Sequence, residues 1–248
     1  MGIPRKFRCT VEKVIDHGGR VYTVDLLPAT STPSFRPGQF LHLTVEDYDP
    51  AGFWPESRVF SIASSPQERG RLRICYSVKG RYTTRMEERL KVGVEVWIKL
   101  PYGDFVIEDA GEAVLIAGGT GISAFTAFVE ALRPQPGRGV WLVYGARDPS
   151  LWLFRDMLLQ QLANVPNFHL LLFAETAGEG WPKEMMALPR SPLLLTGRIS
   201  LDRVWAEVPE PAGKVFYLSG PPIMLTTLGN QLRERGLAAS QIRTDAWE

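Results

Sequence analysis

The chain has 248 residues, 45% hydrophobic and 22% charged, an ordinary composition for a globular protein of one large or two small domains. Lys and Arg number 28 against 27 Asp and Glu. The formal net charge of +1 excludes a global field that would gather nucleic acid or an anionic membrane, so we expect no nucleic-acid partner.

The few cysteines and histidines limit which metal cofactors the chain can bind. Cys9 and Cys75 are the only cysteines, too few for an iron–sulfur cluster with four cysteine ligands. The three histidines are scattered, without Asp or Glu at metal-ligand spacing, so we assign no metal. No signal peptide and no apolar run of ~20 residues is present, so we expect a cytoplasmic protein without a membrane span. The oligomeric state is left open, a monomer included.

The first hundred residues alternate apolar and polar side chains, which predicts half-buried antiparallel strands. With Arg20–Leu27 and Ser57–Ser64 included there are about six, a pattern typical of a small closed barrel. One helix interrupts them, from about Thr84 to Leu90, with Thr83 as its N-cap. A linker near Val106–Gly111 follows.

From Glu112 onward strands alternate with longer helices, the signature of a parallel sheet covered on both faces. Right-handed crossovers favour the strand order 3-2-1-4-5. The five predicted strands are Ala113–Ala117, Val140–Gly145, Phe168–Phe173, Lys214–Ser219 and Gln241–Trp247, and the predicted helices are Ser123–Leu132, Leu151–Ala163, Leu201–Glu207 and Pro222–Arg235. We therefore divide the chain into domains 1–108 and 109–248.

A glycine turn follows the first of these strands. Gly118, Gly119 and Gly121 surround Thr120, and residues without a Cβ let a ligand approach the backbone while the first N–H groups of the next helix point outward. This geometry suits a phosphate or a nicotinamide ring, although a single glycine would serve only the turn. In the predicted strand order this turn meets Ser219-Gly220-Pro221-Pro222 at the carboxyl edge of the sheet.

Six segments, in this order along the chain, resemble the ferredoxin–NADP reductase-like flavoenzymes. They are Arg58-Val59-Phe60-Ser61, Gly80-Arg81-Tyr82-Thr83, Pro101-Tyr102-Gly103-Asp104-Phe105, Gly118-Gly119-Thr120-Gly121-Ile122-Ser123, Tyr144-Gly145-Ala146-Arg147 and Ser219-Gly220-Pro221-Pro222. The resemblance implies an antiparallel six-stranded Greek-key β-barrel that binds FAD, followed by an α/β domain that binds NAD(P), without an iron–sulfur domain.

The first segment resembles the family's flavin motif, Arg-x-Tyr-Ser. The resemblance implies that Arg58 grips the cofactor phosphate, that Phe60 lies on the flavin plane and that Ser61 offers a hydroxyl near the flavin N5. Phe60 stands where the family has Tyr, which keeps the stacking and removes a phenol hydrogen bond. The alternative is an arginine at a strand edge beside a core phenylalanine. Tyr76 is also expected at the cofactor.

The start of the first helix supplies the other half of the expected flavin site. Gly80, Thr83 and Thr84 would bring hydroxyl and backbone donors to a diphosphate opposite Arg58, although a plain N-cap explains Thr83 equally well. A diphosphate implies FAD, since FMN carries one phosphate.

The resemblance also implies a nicotinamide site. Gly118, Gly119, Thr120 and Gly121 would line it from one side, with Ser219, Gly220 and Pro221 from the other. Ser219 stands where the family has Cys, beside the transferring hydride, so we expect a slower enzyme. This assigns catalytic positions to Ser61 and Ser219.

Two further residues extend the predicted cofactor site. Arg147 can meet the 2′-phosphate of NADPH or be a solvated surface arginine, and NADH remains an alternative cosubstrate. Trp247 can cover the flavin face or cap the hydrophobic core near the carboxyl terminus.

These residues predict NAD(P)H-dependent reduction of bound FAD and transfer of electrons to a separate acceptor, a small molecule or a protein such as ferredoxin, flavodoxin or an oxygenase component. Two alternatives remain. One is a flavin reductase that uses flavin as a substrate, and the other is a non-catalytic FAD-carrying electron-transfer subunit.

Overall fold

The structure, a computed structural model, describes residues 3–108, 111–135, 137–176, 181–182, 185 and 188–245. The chain forms two compact units, Met1–Val106 and Ile107–Glu248. The boundary between them lies two residues before the predicted one. Trp247, which the sequence places among the cofactor-binding residues, lies outside the described residues.

The alternating pattern of the first unit produces six antiparallel strands. In chain order they are β1 (Arg5–Asp16), β2 (Val21–Pro28), β3 (Phe40–Thr44), β4 (Arg58–Ser61), β5 (Leu72–Ser77) and β6 (Glu95–Tyr102). They pair in the order β4-β3-β6-β1-β2-β5. Just past β4, the N–H of Ala63 donates to the carbonyl of Arg73 in β5 at 2.8 Å, which nearly closes the sheet. The predicted barrel is confirmed.

One helix, α1 (Arg81–Arg89), covers an end of the barrel core with the buried side chains of Tyr82 and Met86. It begins three residues earlier than predicted, with Gly80 as N-cap in extended conformation, so the assignment of Thr83 as N-cap was wrong. Thr83 is the third residue of the helix, and its hydroxyl accepts the N–H groups of Lys79 and Gly80 at 2.9 and 3.1 Å.

The second unit is an α/β fold built on a parallel sheet. The strands are β7 (Ala113–Gly118), β8 (Val140–Ala146), β9 (Phe168–Ala174), β10 (Leu193–Thr196), β11 (Val215–Ser219) and β12 (Ile242–Asp245). The α-helices in the described residues are α2 (Ser123–Ala131), α3 (Arg155–Asn164), α4 (Leu201–Glu207) and α5 (Pro222–Glu234). Short 3₁₀ turns lie at Gly119–Ile122, Pro149–Leu151, Pro211–Gly213 and Ala239–Gln241.

The sheet has six strands in the order β10-β9-β8-β7-β11-β12, so the prediction of five was wrong. The five predicted strands keep their predicted order, and β10 adds to the edge beside β9. The strand β10 was not predicted because it has only four residues, follows Pro192 and ends before Gly197, so turn signals dominate its sequence. The predicted helix from Leu151 also begins later, at Arg155, because Phe154 adopts a left-handed conformation with φ of 58°.

Burial on both faces explains the uniformly apolar sequence of the central strand, β7. All six residues of β7 are buried, which accounts for its apolar run without alternation. The apolar residues of α4 and α5 cover one face of the sheet in a cluster with Val114, Ile116 and Phe216. None of the helices in the described part of the chain has the length and apolar content needed to cross a bilayer.

Candidate functional site

Tyr82 fixes the amino-terminal end of α1 against the barrel. Its hydroxyl accepts the N–H of Val45 at 3.2 Å and donates to the carbonyl of Glu56 at 3.0 Å. The side chain is only 3% exposed. The first turn of α1 is therefore held beside the segment that leads into β4.

Arg58, at the start of β4, reaches the same place. Its guanidinium lies over the ring of Tyr82, 4.5 Å from the centroid, and forms a 2.9 Å ion pair with Glu56. Hydrogen bonds from Arg85 and then from Arg58 hold the pKa of the Glu56 carboxyl below its ordinary value. The structure thus brings Arg58 and the α1 amino terminus together, as the sequence predicted, with Tyr82 as the shared contact.

The start of α1 offers donors for an anion. A helix leaves its first N–H groups without intrahelical acceptors, here those of Arg81, Tyr82 and Thr83, and its positive end favours phosphate. A Cβ added to Gly80 would have no atom within 4 Å, so no neighbouring group crowds this residue. The Thr83 hydroxyl bonds to the backbone of Lys79 and Gly80, which leaves the Thr84 hydroxyl as the better candidate for a phosphate contact.

An aromatic pair lies further along β4. Phe60 is partly buried and meets Tyr76 edge to face, with ring centroids 6.2 Å apart. Tyr76 is 3% exposed and stacks on Tyr22, and burial raises the pKa of its phenol. Phe60 can present its ring to a planar ligand, whereas Tyr76 supports it from the barrel core. Ser61, next to Phe60, is 6% exposed and lies opposite Phe40 in the β3–β4 ladder.

In the second unit, the turn after β7 contains a glycine suited to ligand approach. Gly119 has φ of +54°, and a Cβ at this position would meet no atom within 4 Å. Thr120 follows it in the 3₁₀ turn, and the hydroxyl of Ser123 donates to the Thr120 carbonyl at 2.8 Å. An open, left-handed glycine at the carboxyl edge of the sheet is what a ring lying on the backbone requires.

The neighbouring glycines allow this turn to pack on the turn after β11. A Cβ on Gly121 would lie 2.4 Å from the carbonyl oxygen of Ser219, and one on Gly118 would lie 2.7 Å from Sδ of Met224 and 3.0 Å from Cδ of Pro221. A Cβ on Gly220 would come within 3.1 Å of the Gly118 backbone. The predicted meeting of the two turns is present. Close packing between the turns is sufficient reason for glycine at positions 118, 121 and 220.

Ser219 carries a contact that the sequence analysis did not foresee. Its hydroxyl donates a 2.8 Å hydrogen bond to the carboxylate of Asp245, directly opposite in the β11–β12 ladder. Ser219 is 2% and Asp245 3% exposed. A buried carboxylate therefore lies one hydrogen bond away from the residue predicted at the hydride-transfer position.

Arg147 lies where the sequence predicted it, just after β8, and is exposed. Its carbonyl accepts the N–H of Thr176 at 2.9 Å, which extends the β8–β9 pairing past the strand ends. Beyond β10, Arg198 forms a 3.2 Å ion pair with Glu175. In the described residues no group of three His, Cys, Asp or Glu side chains has the geometry of a metal site.

The family model described as the oxidoreductase NAD-binding domain matches residues 115–228, which include the turns after β7 and β11. A flavohemoprotein of Deinococcus radiodurans is 29% identical over 194 residues, covering 76% of this chain and 45% of that protein. The second unit therefore contains an oxidoreductase NAD-binding domain, and the chain as a whole is similar to a flavohemoprotein.

Two further proteins are similar to this chain. The phenol hydroxylase P5 protein of Acinetobacter pittii is 28% identical over 218 residues, covering 85% of this chain and 57% of that protein. Among solved structures, a ferredoxin reductase in carbazole 1,9a-dioxygenase superposes with a TM-score of 0.76 at 22% identity, covering 99% of this chain and 70% of that one. The chain thus spans about half the length of the curated relatives that it matches.

Two residues of the site, Tyr82 and Asp245, were not predicted from the sequence. Tyr82 is part of the Gly80–Thr83 segment that resembles the flavoenzyme family. Its position as an apolar residue in the first turn of an amphipathic helix could have predicted its burial. Asp245 carried no such signal, because its role depends on the register between two strands far apart in sequence.

Proposed function

We propose that the chain is an NAD(P)H-dependent flavoprotein oxidoreductase that holds FAD on its barrel unit and passes electrons to a separate acceptor. The observation that carries this proposal is the convergence of Arg58 and the first turn of α1 around Tyr82. A guanidinium beside the start of a helix supplies the donors that a diphosphate needs.

The residues around that space fit FAD. Arg58 can donate to one phosphate from a position set by Tyr82 and Glu56. The N–H groups of the first α1 turn can take the other phosphate, since Gly80 leaves that side open. Phe60, supported by Tyr76, can lie against the isoalloxazine ring, and Ser61 would be next to it.

The second unit supplies the residues for the nicotinamide dinucleotide. Gly119 and Thr120 would accept the ring on an open stretch of backbone, and Arg147 would meet the adenosine end. Ser219, held by Asp245, would orient the reacting face. The bound cofactors would supply hydride transfer from the nicotinamide C4 to the flavin N5, and the residues named here would contribute orientation and electrostatics.

The acceptor is proposed to be a separate molecule. The phenol hydroxylase P5 protein and the ferredoxin reductase in carbazole 1,9a-dioxygenase are named as parts of oxygenase systems. By that likeness, the acceptor of this chain is an oxygenase component, a ferredoxin or a flavodoxin, with a small molecule as the remaining option.

One experiment tests the proposed function directly. The purified protein is passed through a desalting column, its visible spectrum is recorded, and the released flavin is identified by mass spectrometry. NADPH or NADH is then added without oxygen. We expect retained FAD and bleaching of its visible absorption. Flavin lost on the column but reduced when supplied in excess would instead indicate a flavin reductase, and FAD retained without bleaching would indicate a non-catalytic electron-transfer subunit.

A further inference from the structure

The carboxylate of Glu56 lies between two arginines, Arg58 at the start of β4 and Arg85 in α1. Its Oε1 accepts a hydrogen bond from Arg58 at 2.9 Å, and its Oε2 accepts one from Arg85 at 2.5 Å. Both guanidinium groups also lie over the ring of Tyr82, 4.5 and 5.0 Å from its centroid. Glu56 therefore bridges the arginine proposed for the phosphate site and a second arginine beside it.

The backbone of Glu56 is anchored to the barrel. Its carbonyl accepts hydrogen bonds from the hydroxyl of Thr44 at 2.8 Å and from that of Tyr82 at 3.0 Å. Both donors are buried side chains. Because neither anchor involves the side chain of Glu56, its carboxylate stays beside Arg58 when a ligand enters. The proposed phosphate site thus has a built-in negative charge.

The charges around this carboxylate nearly cancel. Glu46 pairs with Arg85 at 2.9 Å and with Arg89 at 3.2 Å. Together with Glu56 and Arg58 these side chains carry three positive and two negative charges, a sum of +1. Hydrogen bonds from Arg85 and then from Arg58 hold the pKa of the Glu56 carboxyl below its ordinary value, so this group is ionised at neutral pH. The diphosphate of FAD, a dianion, would meet a cluster with little net positive charge.

A phosphate on Arg58 and the carboxylate of Glu56 would share one guanidinium. Arg58 already donates to Glu56 and, at 2.8 Å, to the carbonyl of Ser57, so part of its donor capacity is used inside the protein. Two anions on the same guanidinium also repel each other, and a separation of a few ångströms makes that repulsion appreciable even near the surface. Glu56 therefore weakens phosphate binding both by occupying donors and by its charge.

We propose that Glu56 sets the flavin affinity of this chain by competing with the cofactor phosphates for Arg58 and Arg85. The carboxylate lowers the affinity for flavins that carry phosphate, FAD and FMN, and leaves the affinity for riboflavin, which has none, unaffected. Glu56 thereby keeps the cofactor more readily exchangeable than the arginines alone would. This inference rests on the proposed function, because it takes the Arg58 site as the phosphate site of FAD.

Glu56→Gln tests the proposal, because it removes the charge and keeps a side-chain oxygen that can accept from Arg58. Binding of FAD, FMN and riboflavin to the full chain freed of flavin is measured by fluorescence titration. We expect the Kd of FAD and of FMN to fall about fivefold to tenfold, less at high salt, and that of riboflavin to change by less than about twofold. Glu95→Gln is the matched control, since Glu95 pairs with Arg8 at 3.1 Å and Arg8 lies over the ring of Trp97. It should leave all three affinities unchanged.

Pyrophosphate, followed by calorimetry, separates this inference from the proposed function, because it probes the anion site without any flavin. Glu56→Gln should bind pyrophosphate more tightly than the wild type by a similar factor. FAD affinity that is equal or weaker in Glu56→Gln, an equal gain for riboflavin, or an equal gain in Glu95→Gln would each overturn the role of Glu56. A wild type that binds no FAD, with pyrophosphate still held more tightly by Glu56→Gln, would count against the proposed function alone.

Discussion

The hydroxyl of Ser219 donates a hydrogen bond of 2.8 Å to the carboxylate of Asp245, and both residues are almost completely buried. The pairing joins the ends of β11 and β12 at the carboxyl edge of the sheet. A buried carboxylate is costly unless donors satisfy it, so Ser219 has a structural partner in addition to its proposed place beside the nicotinamide.

Replacing Ser219 therefore has two separable effects. Ser219→Ala should lower the free energy of unfolding by about 1.5–3 kcal/mol, because Asp245 loses one charge-assisted hydrogen bond. Ser240→Ala, at an exposed position before β12, is the matched control and should change stability by less than about 0.5 kcal/mol. Urea unfolding of both variants measures the difference. A loss of the same size in the two would show that the Ser219 hydrogen bond does not contribute.

Ser219→Cys tests the proposed catalytic position. Under single turnover, the rate of flavin reduction by NAD(P)H should change more than FAD affinity does, because the substitution alters polarizability at the hydride-transfer position. Stopped-flow absorbance at the flavin band gives the rate. If the rates of the variant and the wild type are equal, Ser219 serves the structure through Asp245 and not the reaction.

The third prediction concerns Arg58. Arg58→Ala should weaken FAD binding by about 1.5–3 kcal/mol, the range for a hydrogen bond to a charged group. Stability without flavin should change little, since exposed ion pairs contribute about 0–1 kcal/mol. Flavin fluorescence titration measures the affinity.

Arg8→Ala is a close control for Arg58→Ala. The Arg8 side chain is 52% exposed, forms an ion pair with Glu95 and lies over the ring of Trp97. The Arg58 side chain is 46% exposed, forms an ion pair with Glu56 and lies over the ring of Tyr82. FAD affinity should be unchanged in Arg8→Ala. An equal loss in both variants would remove Arg58 from the phosphate site.

The sequence was informative wherever local pattern and local structure coincide. The apolar run of β7 predicted a buried central strand, and the meeting of the turns at Gly121 and Ser219 followed from strand order. The sequence was uninformative where the structure depends on a very short element or on a contact between residues far apart in the chain. β10 is too short to show an alternation of apolar and polar residues. The N-cap of α1 is Gly80, but Thr83 is a common N-cap residue type and was predicted in its place. The Ser219–Asp245 bond depends on the β11–β12 register, which no local signal reports.

A fourth prediction follows from the histidines. Burial lowers the pKa of His17, His42 and His169; nearby positive charge adds to this at His42 and His169, and Asp16 opposes it at His17. Each folded pKa is thus below the ordinary value of 6.5, so the unfolded chain binds more protons. Stability should be fully present above pH 6.5 and should decline as the pH falls through the lower, folded pKa values.

Urea unfolding at intervals from pH 8 to pH 5 checks this dependence. His42→Gln should reduce the decline below pH 6.5, because it removes one group that gains a proton on unfolding. A rise in stability between pH 7 and pH 5.5 would contradict the direction of all three pKa shifts.

The last prediction tests whether Gly121 is required for packing between the two turns or for binding of the ligand. Gly121→Ala would place a Cβ 2.4 Å from the Ser219 carbonyl oxygen, and backbone cannot move aside as a flexible side chain does. We expect a loss of about 1–3 kcal/mol in the free energy of unfolding, together with weaker nicotinamide binding, because the two turns are forced apart. Gly80→Ala is the control, since its backbone is extended and a Cβ there meets nothing within 4 Å. Its stability should be close to that of the wild type. If Gly121→Ala kept full stability and lost only nicotinamide affinity, the glycine would be required by the ligand and not by the turn that packs against it.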